Sequence, residues 1–198
     1  MCSSDLCRLA DAAAVLCSTG YTGEPGLEIL IPADGCERIW SAIIQQGTAA
    51  GLVPCGLASR DSLRAEACLP LYGHEIDEST DPFRAGLARA AVSLEGHDFI
   101  GKRALREFSR NPPARSLAFF EMIQPGVPRH GYAIAKEGQI VGRVTTGLFG
   151  PSIGRYIAMG WIDASHARVG TQVDIVIREA TKAARVVERP FYRSPHWR

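Results

Sequence analysis

Hydrophobic spacing changes character along this chain, and the change falls near residue 108. Before it, apolar residues recur at helical spacing, which predicts helices over residues 36–46, 60–67 and 99–108. After the breaker at 109–113, apolar and polar residues alternate. This period predicts the strands 116–122, 131–136, 139–145, 156–162 and 172–178.

Local signals mark where these elements begin and end. Asp34, Ser59 and Asp98 are expected to cap the three helices. The first helix is expected to bury a stripe made of Ile39, Trp40, Ile43 and Ile44. Glu137-Gly138 predicts a hairpin turn. Residues 87–94 are predicted as a strand, 69–81 as an ordered loop, and 9–16 as either a short helix or a strand.

These elements predict an α+β fold with two domains. Residues 1–108 form the mixed domain, and residues 109–198 form a small antiparallel β-barrel, because several short strands follow one another with glycine turns and no long helix.

The first segment carries nine basic and fifteen acidic residues, a balance of −6, whereas the second carries thirteen and six, a balance of +7. A basic second half either steers an anionic ligand or acidic protein, or is an unevenly charged solvated surface.

Composition excludes several classes of protein. The 198 residues are 46% hydrophobic and 22% charged, as in ordinary globular proteins. No apolar run is long enough for a membrane helix, and the start does not resemble a secretory signal, so we expect a cytoplasmic protein without membrane or nucleic-acid partners. The six cysteines are expected as free thiols, with Cys55 and Cys68 in the core. The five histidines have no ligand spacing, so no metal site is predicted.

Two charged side chains are candidates for binding chemistry. Glu28 is the one charge inside the apolar run 27–31, so it either faces solvent or accepts hydrogen bonds from an N–H-rich heterocycle such as a pterin. Arg60 either holds an anionic group or joins ion pairs within its own helix. The segment 189–193 is either an aromatic and basic binding cluster or a terminal strand that docks its aromatic rings.

Five segments, in order along the chain, resemble the glycine cleavage T-protein family. They are 20–29 (GYTGEPGLEI), 56–67 (GLASRDSLRAEA), 69–78 (LPLYGHEIDE), 99–105 (FIGKRAL) and 147–160 (GLFGPSIGRYIAMG). The resemblance implies the remnant of a folate-binding α/β lobe followed by a barrel. It also implies transfer of the aminomethyl carbon from lipoylated H-protein to tetrahydrofolate, which gives methylene-tetrahydrofolate and ammonia.

By the same resemblance, folate contacts fall on Tyr21, Glu28, Arg60 and Arg193. Family members are roughly twice as long, and the part that this chain lacks holds the catalytic aspartate. We therefore expect a fragment, a truncated gene product or one piece of a split enzyme, without turnover when isolated. Two alternatives remain: a folate-binding protein that is not an enzyme, and the folate lobe of a dimethylglycine or sarcosine dehydrogenase or a related demethylase.

Overall fold

The computed structural model describes residues 4–111 and 113–196. The chain forms two compact units: a first unit of residues up to 64 together with those from 193 onward, and a second unit of residues 65–192. The division into domains at residues 108 and 109 stays a prediction, because it rests on the change of hydrophobic period and not on contacts.

The first unit contains a three-stranded antiparallel sheet. Strands β1 (Ser4–Leu9), β2 (Ala12–Cys17) and β3 (Glu28–Leu30) lie in the order β1-β2-β3. The turn between the first two strands is Ala10-Asp11, and both residues have positive φ, which suits the twist of a two-residue hairpin. Residues 9–16 are therefore mostly strand and not helix.

Two helices follow the sheet. Helix α1 (Cys36–Gly47) lies between the 3₁₀ turns Ala33–Gly35 and Thr48–Ala50, and α2 spans Leu57–Glu66. The cap predictions are wrong for both. The residue that caps α1 is Gly35, with no side-chain hydrogen bond, because Asp34 lies inside the preceding 3₁₀ turn. Ser59 is the third residue of α2, since that helix begins earlier than its charged residues indicate.

The predicted apolar stripe of α1 is only partly buried. Ile39 is buried, and Ile43 and Ile44 are half-buried, but Trp40 is 54% exposed. Helical spacing shows which residues share a face, and whether that face is covered depends on what packs against it. The described part of the first unit supplies no cover for Trp40.

The second unit opens with a long ordered loop and two helices. The loop over residues 69–81 is present, and backbone hydrogen bonds hold it: the Gly73 nitrogen donates to the Ile76 carbonyl oxygen (2.8 Å), and the Glu75 nitrogen donates to that of Leu71 (3.0 Å). Residues 87–94 contain the helix α3 (Ala88–Ala91), so the strand predicted there is wrong, and the alanines explain the outcome. Helix α4 spans Lys102–Arg110, and its N-cap residue is Gly101, which has a positive φ of 94°. The prediction that Asp98 caps this helix is therefore wrong.

A closed antiparallel barrel forms the rest of the second unit, which confirms the predicted fold class. Its strands are β4 (Arg115–Met122), β5 (Ala133–Lys136), β6 (Gln139–Gly150), β7 (Arg155–Asp163), β8 (Gln172–Ile177) and β9 (Ala180–Val187). They close in the order β4-β7-β6-β5-β8-β9. Five of these strands were predicted, and β9 was missed. The Glu137-Gly138 hairpin turn is confirmed, with positive φ at both residues.

The barrel interior is apolar and closely packed. Phe120, Ile134, Val144 and Ile175 are fully buried in one cluster. Strands β6 and β7 approach closely at Gly160, where an added Cβ would lie 2.6 Å from the Arg143 carbonyl oxygen. Glycine is required there because any side chain would meet the backbone of the neighbouring strand.

Two carboxyl groups in the second unit are buried and fully partnered. Glu66 is 1% exposed, and it accepts hydrogen bonds from the backbone nitrogen of Ser152 (2.7 Å) and from its hydroxyl (2.6 Å). Glu75 is 0% exposed, and it accepts from the Leu71 backbone nitrogen (2.9 Å) and lies 2.5 Å from Thr145 Oγ1. A buried carboxyl group is tolerable only with such partners.

The described cysteines are all free thiols. Cys68 is buried, as predicted, and burial raises the pKa of its thiol to about 12. Cys55 is exposed, so its placement in the core was wrong; its segment belongs to the loop before α2. Cys2 lies outside the described residues. Within the described chain, no helix combines the length and the apolar character needed to cross a bilayer.

Candidate functional site

Arg60 and Tyr21 are in direct contact. Tyr21 lies half-buried in the glycine-rich loop between β2 and β3, and Arg60 lies exposed on the first half of α2. The guanidinium carbon of Arg60 is 5.1 Å from the centroid of the Tyr21 ring, within the range of a cation–π interaction. The contact places the exposed guanidinium group of Arg60 beside the ring, and its N–H groups can still donate to a ligand.

The alternative role of Arg60, an ion pair within its own helix, is absent from the described residues. Arg64 takes the nearby carboxylate instead: its Nε lies 2.7 Å from Asp61 Oδ1, and the Arg64 side chain is 1% exposed. Glu66 is directed to Ser152 and not to the arginines. Arg60 is therefore an exposed cation with an aromatic neighbour and no carboxylate partner within the described chain.

Glu28 begins the edge strand β3 and its side chain is exposed. Thr19 Oγ1 donates a hydrogen bond to Glu28 Oε2. In the described residues Glu28 forms no ion pair with Arg60. A threonine hydroxyl orients the carboxylate without neutralising it, so the group keeps capacity to accept hydrogen bonds from a ligand. The structure thus shows Glu28 facing solvent at the surface, and its role as an acceptor of hydrogen bonds from a pterin stays a prediction.

Arg193 is exposed and lies next to a residue that is bonded to the glycine-rich loop. The hydroxyl of Ser194 donates a hydrogen bond to Glu24 Oε2, and Ser194 is buried. This bond joins the segment after residue 192 to the loop that carries Tyr21. No local pattern indicates this bond, because the two partners are 170 residues apart. Thr19 was also missed, although its place just before the Gly-Tyr-Thr-Gly segment was a usable signal.

The residues present fit a folate-like ligand by their chemistry. A carboxylate accepts from ring N–H and amino groups, a guanidinium group donates to carboxylate or carbonyl oxygens, and a tyrosine ring offers an apolar face. Glu28, Arg60 and Tyr21 supply these three functions within the first unit. Across the described residues, no group of three or more His, Cys, Asp or Glu side chains is arranged to hold a metal ion.

The first unit also exposes large apolar side chains. Those on or beside its sheet and helices include Leu6, Leu27, Leu30, Trp40 and Leu57. Contiguous exposed apolar surface in a soluble domain commonly marks an interface.

Two family models match the chain in succession. Residues 2–95 match the GCVT N-terminal domain, and residues 115–193 match the glycine cleavage T-protein C-terminal barrel domain. The first match includes residues 2–16, which lie outside the five segments that resemble the family.

Relatives with the same domains are similar over nearly all of this chain. An aminomethyltransferase of Symbiobacterium thermophilum is 50% identical over 184 residues, which cover 93% of this chain and 49% of that protein. An aminomethyltransferase of Bacillus subtilis is 44% identical over 91% of this chain and 50% of that protein. The chain therefore spans about half the length of these curated relatives.

A solved structure gives the same result for the fold. The crystal structure of the glycine cleavage system aminomethyltransferase T from Bartonella henselae superposes with a TM-score of 0.83 at 31% identity, over 90% of this chain and 50% of that one. With both family models in order along its sequence, the chain belongs to the glycine cleavage T-protein family.

Proposed function

We propose that this chain supplies part of the folate-binding lobe and the barrel of an aminomethyltransferase of glycine cleavage. The reaction transfers the aminomethyl carbon carried by lipoylated H-protein to tetrahydrofolate and gives methylene-tetrahydrofolate and ammonia. The names of the relatives support the reaction class. The observation that carries the proposal is the exposed Arg60, which rests on Tyr21 and has no carboxylate partner within the described residues.

Each folate-binding residue has a specific part in the proposal. Glu28 accepts hydrogen bonds from the amino and ring N–H groups of the pterin, and Tyr21 lines the same pocket. Arg60 and Arg193 hold anionic or carbonyl parts of the ligand. The support is chemical: each residue type matches the group it is proposed to hold, and both arginines are exposed.

These residues bind and orient, and no catalytic residue is assigned to this chain. Tetrahydrofolate supplies the nitrogen that accepts the transferred carbon. Fixing such a reactant against its partner removes translational and rotational freedom, which can lower a barrier by about 7–11 kcal/mol in favourable cases. The proton transfers of the reaction need a group beyond these residues.

We further propose that the basic half of the chain steers the lipoylated H-protein. Residues 109–198 carry a balance of +7, and long-range attraction by such a charge raises the rate of encounter with an acidic protein. The prediction is a fall in the association rate as ionic strength rises.

Turnover measured after reconstitution tests the proposed function. The remainder of the Symbiobacterium relative, produced separately or fused to this chain, is assayed with lipoylated H-protein and tetrahydrofolate. We expect no turnover from this chain alone, and turnover from the pair. Turnover from the 198-residue chain alone would show that its own residues are sufficient, and no turnover from a well-folded pair would contradict the proposal.

A second candidate is a folate-binding protein without catalysis, because Glu28, Arg60 and Tyr21 are residue types that bind a ligand and have no assigned part in the chemical step. It predicts tetrahydrofolate binding with no turnover in the reconstituted pair. No observation favours a lobe of a dimethylglycine or sarcosine dehydrogenase, since the relatives reported above are aminomethyltransferases.

A further inference from the structure

Two histidines that are distant in sequence lie side by side in the second unit. His74 belongs to the loop at 69–81, and His130 precedes strand β5. Their ring centroids are 4.8 Å apart, with the ring planes at 47° to one another. Both residues are exposed. The sequence shows no ligand spacing for them, because only the fold brings them together.

Neighbouring residues of one strand orient both rings. His130 Nδ1 lies 2.7 Å from the Thr145 carbonyl oxygen, and His74 Nδ1 lies 3.4 Å from Thr146 Oγ1. A carbonyl oxygen only accepts, so Nδ1 of His130 carries the hydrogen and the neutral ring has its lone pair on Nε2. An Nδ1–H bonded to a carbonyl group is the usual support of a metal-binding imidazole.

Hydrogen bonds also anchor the two chain segments that carry His74 and His130. The loop around His74 is anchored by Glu75, which accepts from the Leu71 backbone nitrogen and lies 2.5 Å from Thr145 Oγ1. After His130, the backbone nitrogen of Gly131 donates to the Val144 carbonyl oxygen at 2.8 Å. The pair is therefore pre-organised, and little ordering is needed when a ligand binds.

We propose that His74 and His130 form a binding site for one divalent transition-metal ion, with Nε2 of each ring as ligands and water in the remaining positions. Two imidazoles that share one ion at nitrogen–metal distances of about 2.0–2.1 Å have ring centroids about 5 Å apart. The observed separation meets this requirement. Within residues 4–111 and 113–196, Nε2 of neither ring has a protein partner.

The donor set selects the class of ion. Imidazole suits Ni²⁺, Cu²⁺ and Zn²⁺, whereas Mg²⁺ and Ca²⁺ prefer oxygen ligands. Binding requires neutral rings, so the affinity falls as the pH is lowered. An ion held by both rings bridges the loop to the segment before β5, and it stabilises the folded chain increasingly as the free ion concentration rises above the dissociation constant.

Calorimetric titration of the 198-residue chain with Ni²⁺ tests the site. Nickel is the probe because free cysteines compete for softer ions. We expect one ion per chain, a rise of the melting temperature with Ni²⁺, and a loss of affinity of about tenfold or more in both His74→Gln and His130→Gln. The matched control is His97→Gln, at a histidine on another loop, and it should bind as the parent does.

Imidazole NMR of the unmodified chain with Zn²⁺, a diamagnetic ion added in excess over the free cysteines, provides a second reading that does not depend on the folding of a variant. We expect the Nε2 resonances of two histidines to shift together. Three results would overturn the site: affinity unchanged in both single variants, an equal loss in His97→Gln, or no shift of two histidine rings at saturating ion. In the last case the pair is a ring contact only.

Discussion

The buried carboxyl group of Glu66 offers a direct test of how the second unit is held together. Both of its oxygens accept hydrogen bonds from one residue, the nitrogen and the hydroxyl of Ser152. Replacing Ser152 by alanine removes the hydroxyl that donates to Glu66. Replacing Glu66 by glutamine exchanges one accepting oxygen for an NH₂ group, which cannot accept a hydrogen bond from Ser152. Neither change alters the size of the side chain greatly.

The expected magnitude follows from the burial of the group. A hydrogen bond to a charged group contributes about 1.5–3 kcal/mol, more than an exposed bond does. Ser152→Ala and Glu66→Gln should each lower the free energy of unfolding by about that amount. The double variant should lose less than the sum, with a coupling energy of about 0.5–3 kcal/mol, because the two residues share the same bonds.

Urea unfolding followed by far-UV circular dichroism measures these differences. The midpoint should fall while the slope with urea stays the same, which marks a change in stability rather than in compactness. Ser165→Ala, at an exposed position in the 3₁₀ turn Ala164–His166, is the control and should change stability by no more than about 0.5 kcal/mol. If Ser152→Ala is as stable as this control, the reasoning about the buried carboxyl group is wrong.

Four further predictions concern the barrel, a buried thiol and the ligand site. Gly160→Ala should destabilise the fold by about 1–3 kcal/mol in thermal unfolding, because the new Cβ meets a carbonyl oxygen at 2.6 Å, while Gly56→Ala, with open space around it, should change little. Burial raises the pKa of Cys68, so alkylation followed by mass spectrometry at pH 8 should label exposed Cys36 at least about tenfold faster. Because only the unfolded thiol ionises just above its ordinary pKa, the contribution of Cys68 to stability should be lost as pH rises from about 9 to about 12, and Cys68→Ala should remove that slope. Arg60→Ala should weaken tetrahydrofolate binding by about tenfold in calorimetry, and an unchanged affinity would remove Arg60 from the site.

Strands and the barrel were predictable where burial follows a local alternation. Val173 and Ile175 point inward and are buried, as their spacing indicated. Strand β9 was missed because its alanines and lysine carry little strand preference, although Ala184 and Val186 do alternate into the core. Its strand state is imposed by pairing with β4 and β8.

The candidate site was predictable only in part, for a related reason. Its residue types stood out in short segments of sequence, and the contact of Arg60 with Tyr21 agrees with them. A local sequence pattern does not show which charged side chains find hydrogen-bond or ion-pair partners. Glu66 finds Ser152 86 residues away, whereas Arg60, in the same helix, is left without a carboxylate partner in the described chain. Such pairings depend on tertiary structure.

Isothermal titration calorimetry of tetrahydrofolate against the Glu28→Ala variant tests the central claim most directly. The parent chain should bind weakly, and the variant should lose affinity by about tenfold or more, because a carboxylate that accepts charge-assisted hydrogen bonds has been removed. Glu37→Ala, at an exposed glutamate on α1, should bind as the parent does. Equal binding by the Glu28→Ala variant and the parent would contradict the assignment of the folate site.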